Sequence, residues 1–169
     1  MSAADHILKN YALFVDGRGY VGNCDELQPP NLALVTEDYR AGGMDAPIAL
    51  DMGMEKLECT FTLSKQCEHL LGQFGVATNN GVQLTARGAL ESLDGSVVPV
   101  ALNMRGTVVK IEHGAWKPGE KSTLSVTVSL TYYKREQNGS VLHEIDVLNM
   151  KRIIGGTDRL AAIRDACGI

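Results

Sequence analysis

The chain has 169 residues, with 16 Lys and Arg against 20 Asp and Glu, a formal net charge of −4. Apolar residues make up 44 %, too many for a disordered chain, and the mildly acidic balance excludes a cationic nucleic-acid-binding surface as the default. Eighteen glycines beside only 5 % aromatics lean towards strands and tight turns. The length corresponds to one domain over residues 1–169, burying about two-thirds of the unfolded surface.

No run approaches the ~18 continuous apolar residues that span a bilayer, so no membrane anchor is expected. Residues 1–10 are polar and lack the apolar centre of an export signal. The cysteines, Cys24, Cys59, Cys67 and Cys167, include no C-x-x-C pair and are expected to stay reduced. Cys59, Cys67 and His69 lie close in sequence, but their spacing fits none of the common zinc sites. Neither a metal nor a cofactor is expected. Asn138-Gly139-Ser140 matches a glycosylation sequon that carries no weight without export.

In chain order, Ala12-Leu13-Phe14-Val15 reads as a strand, Asp16-Gly17 as a hairpin turn, and Tyr20-Val21 as the resumption. Pro29-Pro30 marks a loop, and residues 32–36 a short strand. Residues 37–54 read as an extended arm with little structure of its own. Gly42-Gly43 and Pro47 oppose regular structure there, and Gly53 adds a second flexible point. Met44, Met52 and Met54 suit an adaptable contact surface, or else simply cover the domain's own core.

Leu57, Cys59, Phe61 and Leu63 alternate with polar residues, the period of a half-buried strand. Ser64 is placed to cap a short helix running to Leu71 and stopped by Gly72. Residues 82–90 and 97–112 are strand candidates separated by an Asp94-Gly95 turn. Pro99 belongs at an edge or bulge. Residues 123–133 alternate without error, with Leu124, Val126, Val128, Leu130 and Tyr132 on one face. Asn138-Gly139 turns the chain into a partner strand over residues 141–150. Gly155-Gly156 is expected to end the sheet. Thr157 is expected to cap a last helix, with Asp158 near its positive end and Gly168 closing it. The sum is a mainly β chain, a sandwich or barrel with one or two short helices and an arm loop.

One motif match fails on context. Gly17-Arg18-Gly19-Tyr20-Val21-Gly22 fits G-x-G-x-x-G, but a dinucleotide site needs a helix next, and the chain runs on to Pro29-Pro30 instead. No nucleophile elbow, H-E-x-x-H or G-K-[ST] loop is present. The histidines, at 6, 69, 113 and 143, sit in unrelated contexts. No enzyme is expected.

Leu13-Phe14-Val15-Asp16-Gly17-Arg18-Gly19-Tyr20 and Glu37-Asp38-Tyr39-Arg40-Ala41-Gly42-Gly43-Met44-Asp45-Ala46-Pro47 carry a family resemblance. Asp51-Met52-Gly53-Met54-Glu55-Lys56-Leu57-Glu58 and the ending, with Asp146-Val147-Leu148-Asn149 and Gly156-Thr157-Asp158-Arg159-Leu160-Ala161-Ala162, extend it. Together they resemble the major tail tube proteins of contractile-tailed bacteriophages, the group that includes R-type pyocin tubes. Nothing is carried over for residues 75–120. The resemblance implies hexameric rings stacked into a hollow tube that conducts DNA into the host. It implies as partners further copies of the chain, the sheath, baseplate and tail terminator proteins, a tape measure protein in the lumen, and genomic DNA in transit. The implied location is the virion, and the host cytoplasm during assembly.

In that setting Arg40, Gly42, Gly43, Met44, Asp45, Pro47, Met52 and Met54 are candidate contacts between subunits or rings. A channel that DNA must slide through is better neutral or acidic than basic. Glu58, Glu144 and Asp146 are candidates for its wall, as is the Ser/Thr face of residues 123–131; the alternative is that they face solvent or sheath. Two rival readings remain open at this point: a tube subunit of a DNA-free contractile particle, and a monomeric β-sandwich binding module.

Overall fold

A computed structural model describes residues 3–78 and 81–169, so residues 1 and 2 of the polar N-terminus lie outside it. The chain opens with β1 (Ile7–Val15), turned into β2 (Arg18–Gly19) by Asp16-Gly17. Val15 pairs with Arg18 across two residues with φ of 48° and 79°, the left-handed pair that a tight hairpin needs. The glycine motif is therefore a turn, followed by a strand, β3 (Cys24–Gln28), and not by a helix. Tyr20, expected in the returning strand, instead leaves it and buries its ring. Its hydroxyl lies 2.7 Å from the Cys67 sulfur, and burial raises its pKa first of all.

Next come β4 (Leu34–Tyr39), β5 (Ile48–Met54), β6 (Glu58–Leu63), α1 (Glu68–Leu71) and β7 (Val82–Glu91). β8 (Val97–His113), β9 (Leu124–Gln137), β10 (Ser140–Asp146), β11 (Lys151–Ile154), β12 (Thr157–Asp158) and α2 (Ala161–Cys167) complete the chain. Ten strands form one antiparallel sheet in the order β12-β11-β10-β9-β8-β7-β1-β2, with β6 and β3 branching from β9. The branch follows from length. β9 spans 14 residues, roughly 45 Å at the usual rise, and no single short partner covers it. β8 runs along one side. On the other, β6 pairs with residues 124–129 and β10 with residues 132–137.

Cys59, Phe61 and Leu63 are buried, as their alternation predicts, together with Leu124, Val126, Val128 and Leu130. The fifth core residue of β9 is Tyr133, not Tyr132. Arg105 stands opposite Tyr132 and Gly106 opposite Leu130, which leaves Thr131 as an extra residue. One bulged residue moves every later side chain to the other face. At this bulge the backbones crowd. A Cβ on Gly106 would lie 2.1 Å from the Ser129 carbonyl oxygen, and one on Gly81 2.0 Å from that of Gly106.

Other expectations fail at element ends. Ser64 caps no helix: its hydroxyl donates to the Asn23 carbonyl, and α1 begins only at Glu68 without a side-chain cap. Gly155-Gly156 does not end the sheet. With φ of 60° and 86° it turns the chain so that Ile154 pairs with Thr157. Thr157 is therefore a strand residue, and α2 starts at Ala161. The return strand stops at Asp146, whose carboxylate accepts bonds from the Asn149 backbone N–H and side-chain amide and folds residues 146–149 into a turn. Gly168 does close α2, with φ of 73°. Pro99 lies within β8 between two neighbours, but one residue beyond the last β9 pair at Val100 and Gln137, where its missing N–H breaks no ladder bond.

Candidate assembly surface

The arm is structured. β4 and β5 pair from Leu34 and Met54 to Tyr39 and Ile48, forming a two-stranded sheet joined to no other strand. Residues 40–47 make its tip. There the Arg40 guanidinium and the Met44 backbone carbonyl meet at 3.2 Å, the Ala41 N–H donates to the Met44 sulfur, and Gly43 takes a φ of 86°. Gly42, Asp45 and Pro47 are exposed at this tip, while Met44 is half-buried against it.

The pairing sorts side chains by face. Directly opposed residues share a side, so Tyr39 with Ile48 and Glu37 with Leu50 define one face, and alternation adds Val35 and Met52. Thr36, Asp38, Ala49 and Asp51 define the other. The first face is apolar apart from Glu37, and its apolar side chains are 39 % to 57 % exposed. An isolated two-stranded hairpin is marginal in water, and one that turns its apolar face outward lacks a cover. Met54 differs from the other arm candidates because it packs on the core and roots the hairpin.

One ion pair fixes the polar face. Asp51 Oδ2 accepts from Arg152 of β11 at 2.6 Å, and Oδ1 accepts from the Gly53 N–H at 2.9 Å. The Arg152 hydrogen bond holds the Asp51 carboxyl below the usual carboxylate range. A depressed folded-state pKa means the tie is present above the unfolded value of about 3.9 and is lost as pH falls through the folded value. The Gly53 amide resonance in NMR spectra, whose N–H donates to Asp51, is therefore expected to stay constant from neutral pH down to about pH 4 and to shift below it. Arg152→Ala is expected to show the shifted spectrum already at neutral pH. Identical spectra for the two proteins across that range would remove the latch.

The sheet surface opposite the core is polar. Glu58 on β6 and Glu144 and Asp146 on β10 all lie on it, because their neighbours Cys59 and Ile145 point into the core. Arg87 of β7 is exposed on this surface, but several of its other cations have close partners. Lys134 pairs with Glu136 at 2.9 Å, Lys110 with Glu112, and the Arg105 guanidinium sits 5.1 Å from the Tyr132 ring centre. Tyr132 in turn donates to Glu144 at 3.2 Å. Glu58 pairs with Lys56, also outside the core. Cys59, Cys67 and His69 are not gathered: Cys59 is in the core, Cys67 meets Tyr20, and His69 meets Asp16 at 2.7 Å.

Both ends of the main sheet are short. β2 pairs only with Phe14 and Val15, and β12 only with Ile153 and Ile154. Most of the outer edge of β1 thus carries no strand among the described residues, whereas β11 is paired over half its length and bonded by the Arg159 N–H at Arg152. An open edge is a template for another chain.

Residues 5–168 match the family described as phage tail tube protein FII. The chain belongs to that family. It is 30 % identical over 166 residues to the tail tube protein of Escherichia phage P2, covering 96 % of each chain. It is 29 % identical over 144 residues to the major tail tube protein of Serratia phage KSP20, covering 84 % of this chain and 83 % of that one. Its fold resembles a chain of the extended sheath-tube complex of an extracellular contractile injection system, PVC, with a TM-score of 0.56. That likeness covers 75 % of this chain and 88 % of the other at 9 % identity. The chain is thus a tail tube structural subunit, a virion component whose relatives are structural proteins and not enzymes.

The tail tube subunit holds features that the sequence reading missed. Arg152 is one, since its partner lies 101 residues away. The apolar face of Val35, Tyr39, Ile48 and Leu50 is another; its signal was the period-two pattern on both sides of the glycines.

Proposed function

We propose that six copies of this subunit close into a ring and that rings stack into a hollow tube inside a contractile sheath, conducting DNA into the host. The observation that carries this reading is the β4–β5 hairpin, whose apolar face finds no cover in its own chain. Its neighbours in the assembly are further copies, with the open edge of β1 supplying additional surface. Sheath, baseplate and terminator proteins bind the outside and ends, a tape measure protein occupies the lumen while the tube grows in the host cytoplasm, and DNA passes later. Electron microscopy of the purified subunit tests this: striated hollow tubes with sixfold end views are expected. A stable monomer at high concentration would overturn it and favour a binding module.

The polar sheet surface is our candidate for the channel wall. Acids and ion-paired lysines dominate there and leave Arg87 as the exposed cation in no ion pair among the described residues, so phosphates find little free positive charge to hold. Glu58→Lys with Glu144→Lys is expected to make tubes that retain DNA in a pull-down at low salt and release it as salt rises, while the parent tubes retain none. DNA retention equal to the parent would remove these residues from the wall.

A further inference from the structure

A cleft of ≈ 710 Å³ opens beside the root of the hairpin, between β5, β10, β11 and α2. Leu57, Leu130 and Ile145 are its deeply buried apolar residues, and Val147 and Ile163 are at least half exposed along it. The chain's own hairpin reaches it only through residues 51–54, so Tyr39, Ile48 and Leu50 lie outside. An open apolar cleft and an uncovered apolar hairpin thus stand side by side in one subunit, neither filling the other.

Their free charges are opposite. Asp51 and Arg152 are taken up by each other and Arg164 by Asp158. Among the described residues this leaves Glu37, Asp38 and Asp45 as the hairpin acids in no ion pair, and Lys151 and Arg159 as the cations of residues 147–169 in none. Lys151 lines the cleft itself, alongside Lys56, Glu55 and Asp146. Such complementarity steers two surfaces into one register.

We propose that this cleft receives the β4–β5 hairpin of a second copy of the chain, apolar face inward, with the acids of the hairpin against the basic β11–α2 surface. This rests on the reading that the arm joins subunits, and it names the arm's acceptor. Every copy donates one hairpin and offers one cleft, a head-to-tail contact that closes or propagates without a special end subunit. The exposed walls of the cleft on α2 then have a purpose: they are covered only in the assembly.

Two variants in a Cys167→Ser background test it, Leu50→Cys and Ile163→Cys, the second carrying a size tag. The two are mixed, assembled and treated with a short bismaleimide. A mixed dimer on a denaturing gel is expected from the mixture and from neither variant alone. Tubes that form without that dimer place the acceptor elsewhere and overturn the proposal, while the joining role of the arm stands. Normal tubes from a chain lacking residues 42–52 overturn both. If a cysteine variant does not assemble, charge reversal decides. Lys151→Glu with Arg159→Glu is expected to slow tube growth, and adding Glu37→Lys with Asp38→Lys to restore it. No restoration overturns the assigned acceptor.

Discussion

Changing Ile48 and Leu50 to Asp is expected to leave a folded subunit that no longer forms tubes. Both side chains lie on the outer face of the hairpin and away from the core, so the fold does not depend on them. Burying an apolar side chain of this size is worth about 1.5–3 kcal/mol. Two such losses at each contact, about 3–6 kcal/mol together, weaken that contact by roughly 10²- to 10⁴-fold. The cost of desolvating two carboxylates adds to it. Circular dichroism and thermal unfolding are expected to match the parent, and sedimentation to show subunits in place of tubes. Ile48→Val, which removes one methylene, is expected to assemble at a modestly higher concentration. Tubes from the double Asp variant at the parent concentration would show that this face touches nothing.

Gly106→Ala is expected to be among the most destabilising single changes in the chain. Gly106 has no positive φ; its constraint is space. Its added methyl would meet the Ser129 carbonyl oxygen at 2.1 Å and the Leu130 Cα at 2.8 Å, and these are backbone atoms of the strand it pairs with. They cannot rotate away as a side chain would, so β8 and β9 must part at the bulge. Overpacking of this kind costs about 1–3 kcal/mol and sometimes more. For a domain of this length that lowers the melting temperature by roughly 2–4 °C per kcal/mol. Gly119 is the control. It has a φ of 78° but nothing within 4 Å of an added methyl, so Gly119→Ala is expected to cost only about 1 kcal/mol of backbone strain. Equal melting temperatures for the two variants would contradict the close approach.

These two sites also mark where the sequence is legible. The core faces of β6 and of β9 up to Leu130 follow from period two alone, and the Asp-Gly and Asn-Gly hairpins from their tolerance of positive φ. The bulge at Thr131 is not readable, because it is set by a glycine on a different strand. β3 escapes because Cys-Asp-Glu-Leu-Gln has no apolar alternation and borrows its strand character from β6. The arm reads as irregular because Gly42, Gly43 and Pro47 dominate its tip, while the strands flanking them are short and broken by Gly53. Composition pointed to the arm as a contact element. Which of its faces is apolar, and that Asp51 reaches Arg152, depend on pairing that only the folded chain reveals. The helix caps fail for a related reason: Ser64 and Thr157 are good caps locally, but the Asn23 carbonyl just before β3 claims the first and pairing with Ile154 the second.

The forked sheet also governs how the subunit carries load. β9 is common to both branches, and every strand beside it lies antiparallel along its length. A pull along that direction strains the ladder bonds in shear, all at once, whereas a sideways pull unzips them one after another. A subunit built on one long shared strand is stiff along that strand and comparatively weak across it. The branch point, where β6 gives way to β10 opposite Thr131, is where the two branches would first separate.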